Sequence, residues 1–418
     1  MSKRVVITGQ GTVTAFGESW DENKTKICEL KNAVRHMPEW ENIDGLITKL
    51  AAPCDNFTRP ESYTRKQTRS MSRVSLMATR ASELALTEAG LIDDKEFLKS
   101  GYVGIAYGSS FGSVMAVKDF ATMLTDNTTG DINANSYVKL MPQTTAVNIS
   151  IFFGITGRII PTSTACTSGS MAIGYAYEAI KNGYQVAMVA GGAEELSVCD
   201  AGVFDTMFST SSKNDTPKLT PAPFDKDRDG LVIGEGAGTL VLEEYEHAKA
   251  RGAKIYAEVA GYGASCDGFH LTAPNPDGIF GSKCMTRALK DANMDPSEIQ
   301  YYNAHGTSTH KNDSAETQMI KIAFGEENAR KLKISSTKSM HGHCLGATGA
   351  IESIVCVKAI TDSYYPMTKN LDEQDIEGGC DLDYCANKGI EGNIDAAMSC
   401  TFGFGGHNGC LIFKKIKD

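Results

Sequence analysis

Short apolar runs that stop at glycine recur along this chain, and they restrict it to folds in which buried strands feed glycine-rich loops. Val5 to Ile7 precedes "TGQG", Val103 to Ala106 precedes "YGSSFGS", Val186 to Ala190 precedes "GGAEE", and Ala257 to Ala260 precedes "GYG". Runs of this length and β-branched content read as strands buried on both faces, and the helical spacing of Arg73 to Ala89 and Ser170 to Lys181 supplies an alternating helical layer. The fold class is α/β. A second set follows in the last third: Tyr301 to Asn303 before "AHGTST", Lys333 to Ser335 before "STKSMHGH", Ala397 to Cys400 before "TFGFGGHNG", and Cys410 to Lys414. The repetition predicts two similar halves, residues 1–255 and 256–418, with functional groups at the carboxyl ends of strands. Asn214 to Asp229, with its prolines and "FDKDRD", reads as a long surface loop.

The opening run, Val5-Val6-Ile7, is expected to break at Gly9 and Gly11, and it is too short for a signal peptide or a membrane span. That reads as the first strand of a cytoplasmic protein. At 418 residues and 41% hydrophobic, the chain can bury a core large enough for both halves. A formal charge of −10 argues against nucleic acid as the main partner and against attraction to an anionic membrane. An acidic partner must therefore dock on a local basic patch. The 12 cysteines are scattered with no CxxC pair, the pattern of reduced thiols rather than of a disulfide framework. No spacing matches a four-ligand zinc site, and His341-Gly-His343 alone is a weak metal signal. "FGFGGHNG" lacks the Lys-Ser/Thr of a phosphate-cradling loop.

One cysteine stands apart. In "PTSTACTSGSMAIG", Cys166 follows a strand-like Arg158-Ile159-Ile160 and precedes a segment with Ile173, Ala176, Tyr177 and Ile180 at helical intervals. A helix N-terminus lowers a thiol's pKa, and the small residues Thr167, Ser168, Gly169 and Ser170 let a substrate approach the sulfur. A small buried packing residue is the alternative. Companions decide between the two: His305, His341 and His343 lie in the strand-end loops, and Lys338 shares the loop of His343, where it can tune a neighbouring charge.

Taken together, "TACTSGSMAIG", "DKDRDGLVIGEGAGTLVLEEYEHAKARGAKIYAE", "NAHGTST", "SSTKSMHGHCLGATGAIE" and "TFGFGGHNG" resemble the β-ketoacyl-acyl-carrier-protein synthases, type II branch, over essentially the whole chain. The resemblance implies the thiolase fold, two pseudo-duplicated halves in a five-layered αβαβα arrangement, in a homodimer or a heterodimer with a chain-length partner subunit. It implies Cys166 as the acyl-accepting nucleophile, His305 and His343 as the catalytic histidines, and Lys338 as an electrostatic lysine supported by Glu352. The backbone N–H groups of Cys166 and Phe404 would form an oxyanion hole. Phe404 is the gate candidate beside Phe402, with Phe204 and Val114 lining the acyl channel, the latter from the partner subunit. Thr307 and Thr309 would bind the phosphopantetheine arm of an acyl carrier protein, and Arg65, Lys66 and Arg69 would dock that protein. No metal or separate cofactor is implied.

The departures are specific. Ser70, Phe208 and Ser314 stand where basic residues are expected, which weakens steering of an acidic carrier protein. His310 replaces a proline, while His341 and His407 replace threonines. The segments "AVRHMPEWENIDGL" and "YTRKQTRSMSRVSLMATRA" also resemble ketosynthases of aryl-polyene clusters. The implied reaction is decarboxylative condensation with malonyl-carrier-protein, elongating fatty acyl or polyene chains. Two further readings stand beside it: a non-catalytic chain-length partner, which would have lost the nucleophile, and a biosynthetic thiolase, which needs a second cysteine, for which Cys400 is a weak candidate.

Overall fold

The computed structural model describes residues 2–130 and 132–417. The elements that place the site run, in the first half, β1 (Val5–Val13), α1 (Arg73–Glu88), β2 (Val103–Gly108), α2 (Val114–Asp126), α3 (Thr144–Phe153), β3 (Ile159–Thr162), α4 (Ser168–Lys181), β4 (Ala187–Glu194), α5 (Val198–Asp205) and β5 (Gly236–Glu244). The second half supplies β6 (Ala257–Cys266), α6 (Ile279–Ala292), β7 (Tyr301–Asn303), α7 (His310–Phe324), β8 (Lys333–Ser335), α8 (Thr348–Asp362), β9 (Ala396–Gly403) and β10 (His407–Lys414). Across one ten-stranded sheet the order is β3-β2-β4-β5-β1-β6-β10-β9-β7-β8, so the second half repeats the first about the central β1–β6 pair. In each half four strands run in one direction and one, β5 or β10, runs antiparallel to both of its neighbours. The halves join where Val5, Val6 and Ile7 pair with Val259, Glu258 and Ala257.

Helices α4 and α8 are buried along almost their whole length, pack on each other and touch strands of both halves. A helix apolar all round belongs in a core, and here it forms the central layer. Outside, α1 and α3 cover the first half, while α6 and α7 cover the second. Five layers result, α-β-α-β-α. Small residues let α4 and α8 approach at their N-terminal ends: a Cβ on Gly169 would lie 2.9 Å from the Gly346 carbonyl oxygen, and one on Gly349 would lie 2.6 Å from Ser170 Oγ.

Three sequence expectations change. β1 does not break at Gly9 and Gly11 but continues to Val13, because those glycines face α1: Cβ atoms there would sit 2.1 Å from the Ala85 oxygen and 2.2 Å from the Ala81 oxygen. Gly261 and Gly263 of β6 meet α6 in the same way, 2.4 Å from the Ala288 oxygen and 2.0 Å from the Cys284 oxygen. Glycine within these strands marks close backbone approach, not an end. β5, "GAGTLVLEE", escaped the pattern although it pairs with both β1 and β4. The Asn214–Asp229 loop is irregular as expected, yet its second part is core: Phe224 stacks on Tyr384 at 3.9 Å, and Arg228, 2% exposed, bridges Asp375 at 2.7 Å and Asp313 at 3.6 Å. Among the described residues no helix is long and apolar enough to cross a membrane.

Candidate active site

Cys166 sits in the turn between β3 and α4, two residues ahead of the helix. Ala165 before it has φ +51°, a left-handed conformation that a non-glycine residue adopts only when its surroundings hold it. The hold is local: Ser168 Oγ accepts from the Thr164 N–H at 2.9 Å and donates to the Ala165 carbonyl at 2.6 Å, while Thr167 Oγ1 donates to the Thr164 carbonyl at 2.7 Å. From the other half, Gly403 lies so close that a Cβ there would be 3.2 Å from the Cys166 nitrogen. The N–H groups of Cys166 and Phe404 take no acceptor among the described residues. Burial pushes the Cys166 thiol up to about 12, and the Lys338 charge offsets only part of that. The expected lowering by the helix end does not prevail, because Cys166 is 5% exposed and desolvation of a thiolate is the larger effect.

The second half brings both histidines to that sulfur. One ligand atom each from Cys166, His305 and His343 falls within a 4.8 Å cluster, and the two imidazoles meet edge to face at 5.2 Å. The Leu345 N–H donates to His343 Nδ1 at 3.2 Å, and Thr348 Oγ1 lies 3.0 Å from the same atom. Nδ1 is therefore the acceptor and Nε2 carries the proton. His305 Nδ1 is buried with no hydrogen-bond partner, so no neighbour sets its tautomer. Burial lowers both imidazoles well below 6.5, and the Lys338 charge adds to the effect. Both are neutral near pH 7. Lys338, 1% exposed, is ion-paired to the buried Glu352, whose carboxyl burial pushes up to about 7 against the pull of Lys338.

A cavity of about 340 Å³ opens over these groups, lined by Cys166, His305, His343, Thr307, Thr309, Phe204, Phe402 and Phe404 among others. Thr307 and Thr309 face each other with their hydroxyls 2.9 Å apart. Phe404 packs against Phe204 with ring centroids 5.0 Å apart, whereas Phe402 is buried and meets His305 edge-on at 5.9 Å. His310 sits on the rim, and His407 pairs with Gly403 at the start of β10. His341 lies beneath the loop, Nδ1 donating to the Gly342 carbonyl at 2.9 Å and Nε2 accepting from Thr337 Oγ1 at 3.0 Å. Val114 lies at the start of α2, buried, and does not line this cavity. Arg65, Lys66 and Arg69 are exposed on and beside a single helical turn, also away from the cavity.

Two buried carboxylates that the sequence reading passed over brace the loops. Glu316 of α7 accepts from the His305 and Gly306 N–H groups at 2.8 and 2.7 Å, which holds the turn that presents His305. Glu194 accepts from Ser109 Oγ at 2.8 Å, from the Ser110 N–H at 2.7 Å and from the Gly346 N–H at 3.0 Å, tying the β2 loop to the entry of α8. A glutamate six residues along a helix from a glycine-rich turn offers no pattern to read.

Duplicated halves sharing a central helical layer, with a cysteine at the entry of one central helix, make this a thiolase-fold protein. The match is closer than the fold. Residues 2–248 match the family described as "Beta-ketoacyl synthase, N-terminal domain" and residues 256–372 its "C-terminal domain". A 3-oxoacyl-[acyl-carrier-protein] synthase 2 of Vibrio harveyi is 39% identical over 100% of both chains. A crystal structure of a β-ketoacyl synthase from Burkholderia phymatum superposes with a TM-score of 0.96 at 51% identity, covering 99% of this chain and 100% of that one. The AntDE:AntF assembly, a type II polyketide-synthase acyl-carrier protein in complex with its hexaketide-bound ketosynthase, superposes at 0.91 with 31% identity over 100% of both chains. The chain belongs to the β-ketoacyl synthases and is an acyltransferase.

Proposed function

We propose that Cys166 takes an acyl chain from a carrier-protein thioester and that His305 and His343 stabilise the enolate formed when a malonyl thioester loses carbon dioxide. The convergence of one sulfur and two neutral imidazoles within 4.8 Å at the floor of a cavity carries this reading. In the first step the Cys166 thiol attacks the acyl carbonyl. His305, whose tautomer is unset, takes the thiol proton and returns it to the departing pantetheine sulfur, while the Cys166 and Phe404 N–H groups hold the oxyanion. In the second, the malonyl carbon–carboxylate bond breaks, carbon dioxide leaves, and its electron pair forms an enolate whose oxygen accepts from His343 Nε2–H and His305. The enolate carbon then attacks the acyl-cysteine carbonyl, the carbon–sulfur bond breaks, and the Cys166 thiolate takes a proton from solvent. The reaction is redox-neutral and uses no cofactor beyond the phosphopantetheine of its substrates.

Other roles in the site follow the same reading. Thr307 and Thr309 hold the pantetheine arm, Phe404 swings on Gly403, Gly405 and Gly406 to admit the acyl chain past Phe204, and Phe402 walls the histidine side. The Cys-His-His set has the donors of a metal site, but a buried Lys338 ammonium lowering both imidazoles opposes a divalent cation there. A chain-length partner role is disfavoured by the assembled nucleophile and histidines. A thiolase role is disfavoured by Cys400, which is buried in β9 opposite Cys410 and does not line the cavity.

The partner is an acyl carrier protein, and the carrier-protein complex of the AntDE:AntF ketosynthase supports that choice. A second subunit, identical or a chain-length partner, would cover the edge strand β3 and the exposed Met115, Leu124, Tyr137 and Ile151 beside it, with Val114 reaching the partner's channel. The residues 1–255 and 256–418 are the two halves of this enzyme, a division supported by strands confined to 5–244 and 257–414. Both fatty acyl and aryl-polyene chains remain substrates to compare. Wild type and Cys166→Ala would be supplied with malonyl-carrier-protein and a panel of aliphatic and aryl-polyene thioesters, with products read by mass spectrometry. Wild type alone should form β-ketoacyl product; equal product from both proteins would overturn the nucleophile.

A further inference from the structure

The cavity mouth carries several exposed apolar side chains. Phe208 on the rim is 82% exposed and has φ +53°, a left-handed backbone that is costly for a bulky aromatic and is kept only where the surroundings fix it. Leu271, close by in the chain to the rim residues His270 and Thr272, is 75% exposed, and its carbonyl accepts from the Gly405 N–H at 2.7 Å, so this segment is bonded to the Phe404 loop. A second, open groove shares Ala273, Pro274, His310 and Lys311 with the cavity and continues outward past Phe269, Pro276, Ile279 and Ala315. Phe269 and Ile279 are 57% and 50% exposed. Charge is sparse here: among the residues lining the groove, Lys311 is the one permanent cation and Asp277 the one carboxylate, and Ser314 takes a place where a base was expected. The basic Arg65, Lys66 and Arg69 do not line it.

We infer that this groove, with Phe208 and Leu271 at its inner end, is the seat of an acyl carrier protein that docks chiefly through apolar contact. The inference rests on the proposed function, which requires a protein-borne thioester to be threaded through this mouth. Whatever protein delivers that arm must cover the rim that the groove continues. A chain of formal charge −10 repels an acidic partner at long range, and one lysine cannot offset that, so the affinity must come from burial of the aromatic and aliphatic side chains. Apolar contact is insensitive to screening, whereas docking on a cationic patch weakens as salt rises. The partner's matching surface is accordingly an apolar strip beside its phosphopantetheine attachment site.

The test compares one acyl group on two carriers. Hexanoyl groups would be presented on free pantetheine and on each acyl carrier protein encoded in the source genome, and acylation of Cys166 would be followed by intact mass. For the carrier protein with the lowest KM, Phe269→Ser with Ile279→Ser should raise KM at least tenfold, while acylation by hexanoyl-pantetheine changes less than twofold. Raising NaCl from 50 to 500 mM should change the wild-type KM less than threefold. An unchanged KM in the double variant, or a tenfold salt effect removed by Lys311→Ala or by Arg65→Ala with Arg69→Ala, overturns the apolar seat while leaving the proposed function standing. Failure of both thioesters to acylate Cys166 overturns the proposed function, and this inference with it.

Discussion

At the end of β3 the first half of the molecule places Cys166 ahead of α4; at the end of β8 the second half places Lys338 and His343 ahead of α8. The loops after β2 and β7 correspond in the same way, one carrying Ser109 and Ser110 and the other His305, while Glu194 closes β4 and Phe404 follows β9. The frame repeats, and the chemistry divides. The first half supplies the sulfur, one oxyanion-holding N–H and a carboxylate that ties it to its neighbour; the second supplies both histidines proposed to relay a proton or hold the enolate. Neither half contains a complete site, and the close approach of Gly169 to Gly346 and of Ser170 to Gly349 is what makes one from two.

The sharpest division to break is between acyl capture and condensation. Cys166→Ala should abolish the acyl-enzyme seen by intact mass and lower condensation by about 10⁴-fold or more. His343→Ala should still form the acyl-enzyme, because its Nε2–H serves the enolate, yet lower condensation by about 10² to 10³-fold. Loss of acylation in both variants would mean that the halves do not divide the reaction as proposed.

Within the second half, the buried Lys338–Glu352 pair tests whether charge or shape matters. Lys338→Met strips the fully buried Glu352 of its counter-ion, so that its carboxyl must be buried unpaired or take up a proton, and should cost about 3 to 5 kcal/mol of stability in denaturant titration. Adding Glu352→Leu should recover much of that loss but not the activity, since the charge beside the histidines is still gone. Recovery of both would make the pair merely structural.

A pH dependence probes the second half more gently. His341 is held down to about 4 by burial and by the Lys338 charge, against an ordinary value of 6.5. Between those two pH values the unfolded chain binds a proton that the fold excludes, so stability falls as pH drops from 6.5 toward 4 and is fully present above 6.5. Its contribution reaches about 3 kcal/mol by pH 4. His341→Asn, whose amide can donate to the Gly342 carbonyl, should flatten the fall of Tm with pH in this window. His305 and His343 are lowered in the same direction, so part of the slope will persist.

The smallest effect belongs to the bracing carboxylates. Glu316→Gln keeps the shape but retains only one acceptor oxygen for the His305 and Gly306 N–H groups, so one of them loses its bond, and it should lower kcat by an amount worth about 1 to 3 kcal/mol while leaving acyl-carrier KM unchanged. A KM change without a kcat change would move Glu316 from positioning His305 to binding the carrier.

The residues of the proposed site were legible in the sequence because they sit where the pattern changes. Cys166, His305, Lys338 and His343 all fall in glycine- and serine-rich loops directly after apolar runs, the places where backbone turns expose a side chain at a strand end. The glycines themselves misled at β1, since a glycine that admits a helix and a glycine that ends a strand look alike in one dimension. β5 was hidden for a related reason: its glycine-rich start and acidic end break the apolar run although its neighbours on both sides bury it. The second part of the Asn214–Asp229 loop looked solvated because Arg228 and its partners Asp313 and Asp375 are charged, and only their pairing makes burial tolerable.

From the order of its residues alone, this chain determined the alternation of strands and helices, the duplicated layout and the candidates for the reactive groups, because these follow from local periodicity, side-chain chemistry and the motifs that carry the family resemblance. Tertiary structure decided the rest. It set the neutral state of the histidines and raised the thiol, since desolvation depends on what surrounds a group and not on its neighbours in sequence. It also selected the tautomer of His343 through the Leu345 N–H, and it recruited Glu316 and Glu194 from distant segments to hold the loops in register.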